Sequence, residues 1–165
     1  MGFLDKLFGP KDWTTHAREK EGYRIACPPD WTVREGSASL SIHPPTAVTV
    51  MDPELGAEIP VPGICMAVRV LPAGETPDVK EILRGRSNIY QDYRVTDHVS
   101  SEVPGADRAV VYEFGFTVEG NAFRAVSVIA GKGNRPYDVK ACSRADGFDA
   151  LRKTFRQAIK EFKVG

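Results

Sequence analysis

Apolar residues recur at every second position over residues 108–118 and again over 121–130, and a Glu119-Gly120 pair separates the two runs. That period predicts two strands joined by a tight hairpin. Val110, Tyr112, Phe114, Phe116 and Val118 line one face of the first strand, and Ala109, Val111, Glu113, Gly115 and Thr117 line the other. Both faces carry apolar side chains, where a sheet with one wet face would alternate more sharply. Both are therefore expected to be covered. A Gly-rich turn leads to a third strand at 136–143. An amphipathic helix over 147–163 follows, with Phe148, Leu151, Phe155, Ala158, Ile159 and Phe162 at helical spacing. Asp146 is placed to cap it, and Lys160 and Lys163 suit the negative end of its dipole.

Earlier in the chain the pattern is shorter. Residues 23–27 read as a strand stopped by Pro28-Pro29, Trp31 anchors the start of another at 32–34, and 37–43 and 46–51 follow. Residues 52–63 hold three prolines and two glycines and read as a loop. Residues 64–71 alternate as a strand. Asp78, with Glu81 three positions on, predicts the capped start of a helix running to about Tyr90. Residues 93–103 suit a polar edge strand. The two helices are expected to lie on the faces of the sheet. Residues 11–21 read as a connector or a short helix.

At the amino end Phe3, Leu4, Leu7 and Phe8 fall on one side of a short helix that Gly9-Pro10 ends. So short a helix is marginal in water alone, and its apolar side needs a surface. It either caps this chain's own core or docks on a partner or a second copy. Contact with a membrane surface is the weakest reading, because the polar side lacks Lys and Arg density. The domain organisation expected is this helix and connector over 1–20 and one domain over 21–165.

Composition narrows the function classes. With 165 residues, 42% of them hydrophobic, the chain can hide roughly 70% of its unfolded surface in one domain. Lys plus Arg equals Asp plus Glu at 22 each, which argues against a nucleic-acid partner. Cys27, Cys65 and Cys142 have no paired spacing and read as buried reduced thiols in a cytoplasm. No run reaches the ~20 apolar residues of a membrane-spanning helix, and Asp5 and Lys6 interrupt any secretory h-region.

Chemistry is sparse in the pattern. His16, His43 and His98 lack zinc-site spacing, so no metal is expected. No G-x-S-x-G elbow accompanies a serine. Gly131-Lys132-Gly133-Asn134-Arg135 leads into a strand, not a helix, and reads as a turn with local positive charge. The 52–63 segment sets Leu55, Ile59 and Val61 beside Asp52, Glu54 and Glu58, and exposed loop hydrophobics there suggest contact with a partner.

The run Tyr23-Arg24-Ile25-Ala26-Cys27-Pro28-Pro29-Asp30-Trp31 resembles the strand, proline and Asp-Trp opening of the PsbP-like superfamily. The helix, hairpin, strand and closing aromatic helix follow in that family's order, from about Glu21 to Val164. The resemblance implies an α+β, single-domain α/β/α sandwich, with a central sheet of about six or seven mostly antiparallel strands between helices. Relatives include the extrinsic photosystem subunit, a Ran-binding import factor and DcrB-type bacterial proteins, and it implies action by binding proteins. The amino end, read as no export segment, sets the chain apart from the photosynthetic members. The expectation is a non-enzymatic interaction module of a bacterial cytoplasm, without cofactor. It would meet a protein partner or another copy of itself through Phe3, Leu4, Leu7 and Phe8, or through Leu55, Ile59 and Val61. The alternative is a small-ligand carrier with a pocket between sheet and helix.

Overall fold

The computed structural model of the chain describes residues 12–165. The helix expected around Phe3, Leu4, Leu7 and Phe8 lies outside them. Strands β1 (Thr14–Arg18), β2 (Tyr23–Cys27), β3 (Thr32–Glu35), β4 (Ser39–His43), β5 (Val48–Asp52), β6 (Ala57–Val61) and β7 (Gly63–Val68) precede helix α1 (Val79–Ile89). Then come β8 (Gln91–Ser100), β9 (Arg108–Val118), β10 (Asn121–Lys132), β11 (Arg135–Arg144), helix α2 (Ala145–Glu161) and β12 (Lys163–Val164).

Seven strands form one sheet in the order β3-β4-β7-β11-β10-β9-β8, with antiparallel neighbours throughout. A three-stranded sheet, β1-β2-β12, and the β5-β6 hairpin are separate from it. The protein is α+β. At the β9–β10 turn Glu119 and Gly120 have φ of 50° and 81°, the left-handed pair that lets a two-residue hairpin follow the strand twist.

The register aligns the faces. Val111, Val128 and Val139 stand side by side, as do Phe114, Ala125 and Cys142. The first row belongs to a core cluster with Phe148, Phe155 and Ile159 of α2 and Tyr23 and Ile25 of β2. The second belongs to a cluster with Ile59, Val61 and Tyr90, against which Val79, Ile82 and Leu83 of α1 pack. Successive side chains of a strand point to opposite faces. Val111 is buried in the first cluster while Val110 packs on the second, so both faces of the meander are shielded.

Four expectations need correction. Over 12–21, the described part of the 11–21 segment, the chain is neither a helix nor a mere connector: β1 pairs with β2 from Thr14↔Cys27 to Arg18↔Tyr23. It is an edge strand with Thr14, Thr15 and Ala17 exposed, so its polar sequence conceals a β period. Residues 52–63 are not a loop, because β5 and β6 pair from Val48↔Val61 to Asp52↔Ala57. In a two-stranded sheet each strand is an edge, and Pro60 costs no ladder bond on the open side. The closing helix spans Ala145–Glu161, with Arg144 at the N-cap position, Asp146 inside the first turn and Lys163 already in β12. Burial of Phe162 and Val164 in extended chain against Tyr23 ends the helix early. The edge strand begins at Gln91, directly after α1, and ends at Ser100. The start of α1 follows expectation: the Glu81 backbone N–H donates to Asp78 Oδ1 at 3.1 Å.

Candidate functional site

A dense group of ionisable side chains lies where α1, β11 and the β5–β6 turn meet. Val79, Ile82 and Leu83 turn one stripe of α1 toward the aromatic cluster, and helical spacing brings Arg86 onto the same stripe. Arg86 is fully buried, at 0% exposure. Its Nε donates to Glu54 Oε2 at 2.6 Å and its Nη2 to Glu54 Oε1 at 3.2 Å. Nη2 also reaches Asp138 Oδ1 at 2.6 Å, and Nη1 donates to Tyr112 Oη at 2.5 Å and Ser127 Oγ at 2.8 Å. The guanidinium carbon is 5.3 Å from the Phe114 ring centre.

Lys140 of β11 is the second buried cation. It pairs with Asp52 and donates to Tyr90 Oη, and its Nζ lies 3.6 Å from Glu54 Oε1. Tyr90 Oη donates in turn to Asp52 Oδ1 at 3.0 Å. Two cations thus face three carboxylates, Asp52, Glu54 and Asp138. Burial works against the charge on Arg86, yet Asp138 and Glu54 hold its pKa well above the ordinary guanidinium value. Burial likewise opposes ionisation of Glu54, but Arg86 and then Lys140 draw its pKa below the usual carboxylate value. For Asp138 burial prevails over Arg86, and the nearby Glu54 adds to it, so its pKa is raised. Burial first, then Glu54 and Asp52, raises that of the Tyr90 phenol. The adjoining void, lined by Glu54, Leu55, Cys65, Asp138 and Lys140 among others, holds about 10 Å³. That is room for at most one water.

A second group lies on the α2 side of the sheet. Glu113 of β9 is 1% exposed and receives Arg156 Nε at 2.6 Å and Arg152 Nε at 3.0 Å on Oε2. Its Oε1 has no aligned hydrogen bond, but it is ion-paired with Arg152 Nη2 at 3.0 Å and lies 3.6 Å from Arg124 Nη2. Asp97 takes Arg156 Nη2 at 2.8 Å. The arginines are packed as well as paired: Arg124 lies 4.4 Å from the Phe148 ring centre.

Open space is found elsewhere. A cleft of about 800 Å³ runs between the β8–β9 connection, the start of β9 and the last turns of α2. Val99, Val103, Ala109, Val111 and Ile159 supply apolar walls, with Arg108 and Lys160 among the polar residues lining it.

The structure scatters the residues singled out from sequence. Leu55 lies exposed at the turn of the hairpin. Ile59 and Val61 do not share that exposure; at 6% and 2% they face the aromatic cluster, because β6 turns them inward. The histidines lie apart: His16 is on β1, His43 Nδ1 contacts Pro44 O at 3.0 Å, and His98 Nε2 contacts Ser101 Oγ at 3.1 Å. The three thiols are free and buried, and burial raises Cys65 and Cys142 to about 12 and Cys27 to about 11. Sequence reasoning passed over Arg86, Lys140, Asp138 and Glu113. A signal existed for two of them. Arg86 continues the helical stripe of Val79, Ile82 and Leu83, and Glu113 shares the inward period of Val111.

The layout is that of a PsbP-like fold. The chain is similar to cyanobacterial PsbP (CyanoP) from Synechocystis sp. PCC 6803, with a TM-score of 0.63, 9% identity and 93% of each chain covered. It is also similar to LpqN of Mycobacterium tuberculosis, a protein involved in cell envelope biogenesis, with a TM-score of 0.61 and 15% identity over 92% of this chain and 90% of that one. Protein PA94 of Pseudomonas aeruginosa aligns with a TM-score of 0.51 and 10% identity over 90% and 94%. Neither a family model nor a curated protein sequence matches the chain. Likeness at these identities establishes the fold and leaves function to the site.

Proposed function

We propose that the protein is a non-enzymatic accessory module of α/β/α sandwich form. It docks a protein partner in the cleft between β9 and α2, within a bacterial cytoplasm. One observation carries this reading: chemistry and space are segregated. The clustered carboxylates, cations and phenols surround about 10 Å³, too little for a substrate. The roomy cleft is walled by Val99, Ala109, Val111 and Ile159 and suits side chains of a partner. The buried thiols fit a reducing compartment.

Val99 is 37% exposed on that wall, so Val99→Glu leaves the core intact while charging the cleft. Affinity purification from the source cells with wild type and Val99→Glu, then reconstitution with the purified partner, tests the reading. A partner held by wild type and released by the variant is expected. A partner retained by both places binding elsewhere and overturns it. A second copy of the chain would register as a doubled mass in light scattering, again abolished by the variant.

The size of the cleft favours one further reading, a carrier of a small amphipathic ligand, because about 800 Å³ falls within the range of small-molecule pockets. Native mass spectrometry decides between the two: a bound small molecule lost in Val99→Glu supports the carrier, and an unliganded chain opposes it.

A further inference from the structure

The ionic cluster around Arg86 divides into a frame and a cover. Arg86 belongs to α1, Lys140 and Asp138 to β11, and the donors Tyr112 and Ser127 to β9 and β10. These elements are joined through the main sheet or packed on it, and together their ionised groups carry two positive charges against one negative. The remaining two carboxylates come from the β5–β6 hairpin. That hairpin pairs with no strand of the main sheet. Two-stranded hairpins have little stability of their own, so its seat depends on Val50, Ile59 and Val61 below and on Asp52 and Glu54 at its turn.

Glu54 grips Arg86 with both oxygens, in the fork geometry by which an arginine takes a free carboxylate. Asp52 is seated on Lys140 and Tyr90 in the same manner as a second carboxylate. Lifting the hairpin alone would leave Arg86 and Lys140 under-neutralised and short of counter-charge, a penalty that holds the hairpin closed. A ligand bringing its own carboxylates removes that penalty and shifts the equilibrium toward the lifted form.

We propose that Arg86 and Lys140 form a binding site for a small dicarboxylate, which the hairpin's Asp52 and Glu54 occupy as internal stand-ins when the hairpin is closed. Ligand and hairpin then compete for the same two cations, and Phe114 offers its ring to the body of the ligand. With the hairpin closed the cluster leaves only about 10 Å³, so the ligand enters the lifted form alone; the site is distinct from the β9–α2 cleft and does not rest on the partner proposed there.

Succinate is the probe, with sodium chloride at equal ionic strength as control. The full chain is compared with the double variant Asp52→Asn/Glu54→Gln, which keeps the shape of the hairpin and removes both competing charges. Calorimetry is expected to show succinate binding at least about tenfold tighter in the double variant, and binding lost when Arg86→Met is added. Hydrogen exchange of wild type is expected to show amides of β6 opening at least about tenfold faster than those of β10. Should the double variant unfold, Glu54→Gln alone, which retains the Asp52–Lys140 pair, carries the same comparison. Succinate affinity unchanged by the substitutions, or β6 amides exchanging only with β10, overturns the proposal. Either result leaves the Val99→Glu experiment untouched.

Discussion

An arginine inside the apolar stripe of α1 is tolerated because five hydrogen bonds meet its guanidinium. Removing it leaves Glu54 and Asp138 without their main cation. Arg86→Met is therefore expected to cost about 3–5 kcal/mol of unfolding free energy, read from urea denaturation; a loss below ~1 kcal/mol would mean that the network is loosely held. Acid titration separates the two carboxylates. Glu54 has a lowered folded pKa, so its contribution is complete above the unfolded value of about 4.3 and disappears as pH falls through the folded value. Asp138 has a raised folded pKa, so it favours the fold below its unfolded value of about 3.9 and withdraws that support as pH climbs through the folded one. Glu54→Gln should thus shed its destabilisation relative to wild type as pH falls below about 4.3 and on through the folded value. Asp138→Asn should gain on wild type as pH rises above about 3.9, and urea midpoints measured on either side of about pH 4 check both signs. The position of Arg86 was open to view in the spacing from Val79, Ile82 and Leu83. Its partners were not, since Glu54 is 32 residues away and Asp138 is 52.

Elements with strong periods were legible and weak ones were not. The hairpin of β9 and β10, the capped start of α1 and the aromatic stripe of α2 each declare themselves within a dozen residues. β1 and β6 do not, because an edge strand made of Thr, His and Arg, or one carrying Pro60, lacks the local signature of a buried strand, whereas β5 was legible in the Val-Thr run over 46–51. Phe155 of α2 is fully buried and meets Trp31 edge-on at 6.4 Å and Phe148 at 6.2 Å. Phe155→Ala is expected to cost about 3–5 kcal/mol, measured by chemical denaturation. The closure of β12 depends on a smaller residue. Gly105 has φ of 85°, and a Cβ there would stand 1.6 Å from the Val164 carbonyl oxygen. Gly105→Ala should detach β12 from β2, and loss of amide protection at Val164, which donates to Pro104 O, is the measurement that reports it.

At the scale of the whole molecule, β10 holds two cores together, with Val126 and Val128 in one and Ala125 and Ile129 in the other. Its central amides should be the slowest to exchange with deuterium, opening only with global unfolding, while those of the exposed edge strand β8 exchange earlier. The meander, the two amphipathic helices and the two-faced burial of the sheet were all present in the order of side chains along the chain. Those features are written in periods of 2 and 3.6 residues, and the hydrophobic effect acts on each window directly. The folded arrangement was needed to bring Asp52 to Lys140 across 88 positions, to turn Ile59 and Val61 inward, and to open a cleft between β9 and α2. Ion pairs and cavities depend on which distant segments come into contact, and no local pattern of side chains encodes that choice.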